Sequence, residues 1–138
     1  MNRIKLSNSI DLLGIRAGTV LPENVRSLEL EALVDTGAVM LALPEDVIAV
    51  LGVEVQAKRT VRDALGRTVE VGWAFDIRFE MLGREMTCDA LVLPTGAKPL
   101  IGQVQLEVLD LVVDPRAREV RPNPEHPDMP IIDLRACA

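Results

Sequence analysis

The chain reads as an all-β, barrel-like domain with one or two short helices, on three observations. Residues 68–80 alternate apolar and polar for longer than any other segment, which is the period of a strand in an antiparallel sheet. Turn-forming residues cut the remaining apolar positions into short runs, enough for at least seven strands. Helical patterning is confined to brief segments, and no internal repeat is present.

Taken in order, Ile4 to Leu6 and Ile10 to Ile15 are apolar-polar runs around Ser7-Asn8-Ser9, and predict one or two early strands, as in a hairpin. Leu21-Pro22-Glu23-Asn24 is turn material. From Val25, the residues Leu28, Leu30, Ala32 and Val34 alternate with Glu29, Glu31 and Leu33, a strand that begins half-exposed and ends buried. Val39 to Leu43 returns to the core. Pro44 then opens a short helix with Glu45 and Asp46 in its first turn, Gly52 as its stop, and Val47, Ile48 and Leu51 inward.

Val53 to Arg62 predicts a further strand, and Asp63 to Arg67 a turn with Gly66 at its tip. In the long strand that follows, Val69, Val71, Trp73, Phe75, Ile77 and Phe79 are expected on one buried face, which would put every aromatic residue in the core. Leu82-Gly83-Arg84 turns the chain into a strand from Met86 to Leu93. Pro94 to Pro99 is a loop, and Leu100-Ile101-Gly102 leads into a short helix. Leu111 to Pro115 is a last core strand, with Val120 in one more. Residues 1–121 thus form one domain. Residues 122–138, with four prolines between Pro122 and Pro130, form a tail in which Ile131 and Ile132 are apolar enough to dock.

Composition narrows the function. At 138 residues there is room for one core, and at 2% aromatic residues it must be aliphatic. A net charge of −6 argues against nucleic acid or an anionic membrane as main partner. One histidine, His126, and two cysteines, Cys88 and Cys137, make no zinc-type cluster and no nucleophile–His dyad, so no cofactor or metal is expected. Cys88 reads as a small buried hydrophobe and Cys137 as part of a loose terminus. Without a signal-peptide pattern or an apolar run of spanning length, a cytoplasmic protein is expected.

The stretch that carries chemistry is Ala32-Leu33-Val34-Asp35-Thr36-Gly37-Ala38. An apolar strand delivers a carboxylate, a hydroxyl and a glycine at its tip. Gly37 lets the backbone turn and a ligand come close. Asp63, Asp89, Asp110 and Asp114 lack the apolar lead-in and the Thr-Gly sequel and read as turn or surface residues. A Lys-Ser/Thr phosphate loop is missing, and strands do not alternate with long helices, so nucleotide chemistry has no support.

With its later Leu100-Ile101-Gly102 and helix, this stretch resembles the retropepsin-like aspartic proteases over roughly residues 25 to 122, small bacterial members in particular. In that family a catalytic Asp-Thr-Gly-Ala loop is followed by a flap hairpin, a strand pair, a second apolar-apolar-Gly element, a helix and a last strand. Retroviral members carry a paired Asp and Arg where this chain has Val39 and Gln103, and a glycine-rich flap tip where it has Gly66 alone. Both charges are missing together, so no orphan is buried.

The resemblance implies an acid-protease barrel whose active site forms in a homodimer. Two carboxylates must flank one water, and only Asp35 has the right context, so the physical requirement is the same. It implies Asp35, Thr36 and Gly37 as catalytic loop, and Ala38, the flap residues Leu65 and Gly66, and Leu100 as contacts to an extended peptide. Two other readings compete. One is a retropepsin-fold dimer that binds a peptide or partner without cutting it; the other is a plain β-barrel in which Asp35 merely caps a turn.

Overall fold

The structure, a computed structural model, describes residues 2–117 and 119–134; the expectation for Cys137 lies outside the described residues. Nine strands and three α-helices are assigned among them. In chain order these are β1 (Asn2–Asn8), α1 (Ser9–Ala17), β2 (Ser27–Val34), β3 (Ala42–Pro44), α2 (Glu45–Leu51), β4 (Val55–Arg62) and β5 (Thr68–Met81). There follow β6 (Arg84–Leu93), β7 (Leu100–Ile101), α3 (Gln103–Val108), β8 (Leu111–Asp114) and β9 (Glu119–Pro122).

Six strands close into a barrel in the order β1-β2-β7-β3-β6-β5, with β5 returning to β1. Closure depends on the length of β5. Its far half, Ile77–Glu80, pairs with β1, while its near half, Thr68–Ala74, carries β4 as an outrigger. A separate ribbon joins β8 to β9. The interior is aliphatic apart from Phe79 and the polar Gln105, with Ile4, Leu6, Leu41, Leu43, Leu51, Ile77 and Ile101 essentially inaccessible.

The long strand departs from its expected single buried face. Phe75 and Asp76 together oppose Asp89, between the pairs Ala74–Ala90 and Ile77–Cys88, and Asp76 takes φ 58°. This bulge adds one residue to the alternation. Ala74, Ile77, Phe79 and Met81 therefore face the core, while Trp73 and Phe75 are only half-buried. Trp73 instead donates its indole N–H to Asp89 at 3.0 Å, with the Arg59 guanidinium 4.2 Å above its ring.

The second correction is at the N-terminus, where Ile10 to Ile15 lie in helix α1 and not in a strand. The Asn8 side chain caps the helix by accepting from the Asp11 N–H (3.1 Å), and Gly18, at φ 77°, ends it. Both signals stand in the sequence. They are obscured because Ile10 and Leu13 are about half exposed, so the apolar spacing does not report the buried face. Asp11 points inward and accepts from the backbone N–H, Nε and Nη2 of Arg26 at 2.9–3.0 Å, tying α1 to the start of β2. The Pro44 helix stands as expected, with Ile48 and Leu51 buried and Gly52 at φ 62°.

The tail folds back on the domain, and β9 runs through Pro122. Buried Arg84 donates to the carbonyls of Leu109 (2.9 Å), Asp110 (2.8 Å) and His126. The Asp110 carboxylate accepts from Asn123 Nδ2 (3.0 Å) and the Ile131 N–H (3.1 Å), and meets His126 Nδ1 at 2.6 Å. Among the described residues no helix is long and apolar enough to cross a membrane.

Candidate active site

β2 ends at Val34, and parallel pairing of Leu33 with Leu100 and Val34 with Ile101 carries the chain to the barrel rim. The Leu33 N–H donates to the Pro99 carbonyl (2.9 Å) and the Asp35 N–H to that of Ile101 (3.0 Å), so the backbone is held up to the carboxylate itself. The chain then turns. The Ala38 N–H donates to the Asp35 carbonyl (3.0 Å), and the Gly37 N–H to Asp35 Oδ1 (2.9 Å). An Asp side chain that closes its own turn in this way leaves Oδ2 free.

The far side of the loop is gripped by the start of α3. The N–H groups of Gln103 and Val104 donate to the carbonyls of Ala38 (2.8 Å) and Val39 (2.9 Å). Gly102 makes that approach possible. A Cβ there would lie 2.5–2.6 Å from the N, Cα and C of Met40, so no larger residue fits. The Gln105 side chain, fully buried, turns back to accept from the Gly102 N–H (3.2 Å).

The two motifs separated in sequence are thus one structural unit. Asp35, Thr36 and Gly37 are exposed at its crest, with Ala38 and Leu100 half-buried beside them. Among the described residues no second carboxylate bonds to Asp35, and Thr36 makes no hydrogen bond. Thr36 opens onto a groove of about 1110 Å³ between α3, β8 and the tail, lined also by Leu106, Asp110, Val112, Ile131 and Leu134.

Leu65 and Gly66 lie elsewhere, at the tip of the β4–β5 hairpin. Leu65 is 76% exposed, and among the described residues no hydrogen bond or ion pair joins this tip to the Asp35 loop. The tip is a turn organised by Asp63. Its Oδ1 accepts from the N–H groups of Leu65 and Arg67, both at 2.9 Å, and its Oδ2 pairs with Arg67 Nε at 3.0 Å.

Sequence reading did not single out the Arg84–Asp110–Asn123–His126 cluster that borders the groove. The one signal available was an isolated histidine in an Asn-Pro-Glu-His turn, which carries no distance information. The Asn123 amide, the Ile131 N–H and His126 hold the Asp110 carboxyl below the ordinary carboxylate range. Comparison with known proteins adds no identification: no family model matches the chain, and a search of curated proteins finds no match.

Proposed function

We propose that the chain is a retropepsin-like aspartic endopeptidase, active as a homodimer in which two Asp35 carboxylates share one water. The observation that carries this reading is the unit built from Leu33 to Ala38 and Leu100 to Gly102. It presents Asp35 outward while its backbone is bonded on both sides. A carboxylate meant only to cap a turn needs neither the second strand nor the close passage of Gly102. The closed barrel and the placing of Ala38, Val39, Gln103 and Val104 against one another further support the family reading.

In the dimer the two Asp35 side chains meet on the two-fold axis. At about 3 Å apart they cannot both ionise and so hold one proton between them. The ionised carboxylate takes a proton from water as that water attacks the scissile carbonyl. The protonated one donates to the carbonyl oxygen, giving a gem-diol without a covalent enzyme intermediate. Proton return to the amide nitrogen then expels the amine. Thr36 bonds across the axis to set the two loops, and Gly37 and Ala38 leave room for the substrate backbone. Leu65 and Gly66 of each hairpin close over an extended peptide, and Leu100 lines its apolar side-chain pockets.

The test is cleavage of a mixed peptide library, read by mass spectrometry from pH 4 to pH 7, for the wild type beside Asp35→Asn. The amide oxygen of the substituted side chain still accepts from the Gly37 N–H, so the turn survives and stability shifts by no more than about 0.5 kcal/mol. Cuts made by the wild type and lost in the variant establish the function. A protein that sediments as a dimer and cuts nothing at any pH is instead a peptide-binding relative of the fold.

A further inference from the structure

Among the described residues β4 pairs only with β5, so its outer edge leaves a row of backbone N–H and C=O groups without a strand partner. Its charge runs against that of the molecule. Where the two strands pair, residues 55–74 carry Lys58, Arg59, Arg62 and Arg67 against Asp63 and Glu70, in a chain of net charge −6. Arg67 is taken up by Asp63. Among the described residues Lys58, Arg59 and Arg62 have no carboxylate at ion-pair distance, and all three are exposed. The Arg59 guanidinium lies over the Trp73 ring, and among the described residues its N–H groups make no hydrogen bond, so they can donate to a partner.

Geometry narrows the occupant. The β4 register slips between Gln56 and Arg59 and is regular from Arg59 to Arg62, where the pairs are Arg59–Val71, Thr60–Glu70, Val61–Val69 and Arg62–Thr68. Arg59 and Arg62 are three residues apart, so they project from opposite faces of the sheet. Like charges placed edge to edge repel, which turns away the β4 edge of a second copy. The exposed apolar side chains of Val55, Leu65 and Val69 lie on the same hairpin.

We propose that the β4 edge from Arg59 to Arg62 docks an extended acidic segment of a partner protein as an added strand. Carboxylates three residues apart in that segment pair with Arg59 on one face and Arg62 on the other. Docking goes beyond the proposed hydrolysis and does not require it. Where hydrolysis also occurs, the segment marks which chains are cut.

The experiment uses the Asp35→Asn protein, which cannot consume its probe. Fluorescence anisotropy compares a Thr/Val-rich peptide bearing two Glu three residues apart with its Gln counterpart and with an isomer whose Glu are two apart. Two cross-strand ion pairs predict roughly 2- to 30-fold tighter binding of the first peptide than of the Gln form, a margin that shrinks in high salt. Amide shifts confined to residues 59–62 mark the edge. Arg62→Gln, which leaves that position neutral, cuts the preference to that of the single Arg59 pair, and Arg62→Glu lowers it further, while circular dichroism stays unchanged. Equal binding of the Glu and Gln peptides, no binding, or affinity unchanged in both variants overturns the proposal. So does tighter binding of a single-stranded oligonucleotide of matched charge, which would reassign the edge to nucleic acid.

Discussion

Burial pushes the Cys88 thiol up to about 12, with the Gln105 side chain drawing it part of the way back and the nearby Asp89 charge adding to the rise. Its reaction with a disulfide reagent at pH 8, in a Cys137→Ser background, is expected to run more than about a hundredfold slower than that of a free thiol and to recover on unfolding. A native rate near that of a free thiol would show that the sulfur is solvated. Gly102 is the other residue whose role is one of space. Its Cβ would overlap the Met40 backbone, which cannot swing aside as a side chain can. Gly102→Ala should therefore cost at least about 1–3 kcal/mol in denaturant unfolding, and should displace the Asp35 loop. A variant with unchanged midpoint would contradict the close packing.

Among the elements, the β4–β5 hairpin concentrates the questions. Its tip is held by one carboxylate that accepts two backbone N–H groups and an Arg side chain. Asp63→Ala removes all three bonds, and is expected to cost about 1 kcal/mol while speeding amide exchange at Leu65 and Arg67 with little change in the barrel. If closure of the hairpin accompanies peptide cleavage, this variant loses turnover through poorer substrate retention, seen as a raised KM. Exchange that stays slow at the tip would mean that the strands alone hold it. The bulge at Phe75–Asp76 lies at the root of the same hairpin. It lets one strand serve the outrigger with its near half and the barrel with its far half.

At the scale of the whole molecule, Arg84 and Asp110 join the tail to the domain, and their joint is expected to weaken in acid. Asp110 has its carboxyl lowered chiefly by the Asn123 amide, with help from the Ile131 N–H and His126. A lowered folded value means that the joint contributes its full stability above the ordinary Asp value of about 3.9 and loses it as pH falls through the folded value. The Ile131 amide shift should therefore titrate with a midpoint below that ordinary value, and Asp110→Asn should abolish the titration. A midpoint at or above the ordinary value would remove Asp110 from the role of tail anchor. Because the groove beside Thr36 is walled by tail residues Ile131 and Leu134, release of the tail also opens one side of the candidate site.

Local chemistry was legible wherever one short segment sufficed. Pro44 and Gly52 bracket α2, Gly66 marks the hairpin tip, and the Ala32 to Ala38 stretch announces a strand that ends in an exposed carboxylate. These features depend on backbone preference and period, which neighbouring residues set among themselves. The helical nature of α1 was written in Asn8, Asp11 and Gly18, but its half-exposed Ile10 and Leu13 imitate a strand. What only the tertiary structure decided are the relations between distant segments. They include the seating of Gly102 on Met40, the bulge that turns β5 inward, the barrel closed by β5 on β1, and the capture of the tail by Arg84 and Asp110. Each depends on a distance between residues far apart in the chain, and no local preference encodes such a distance.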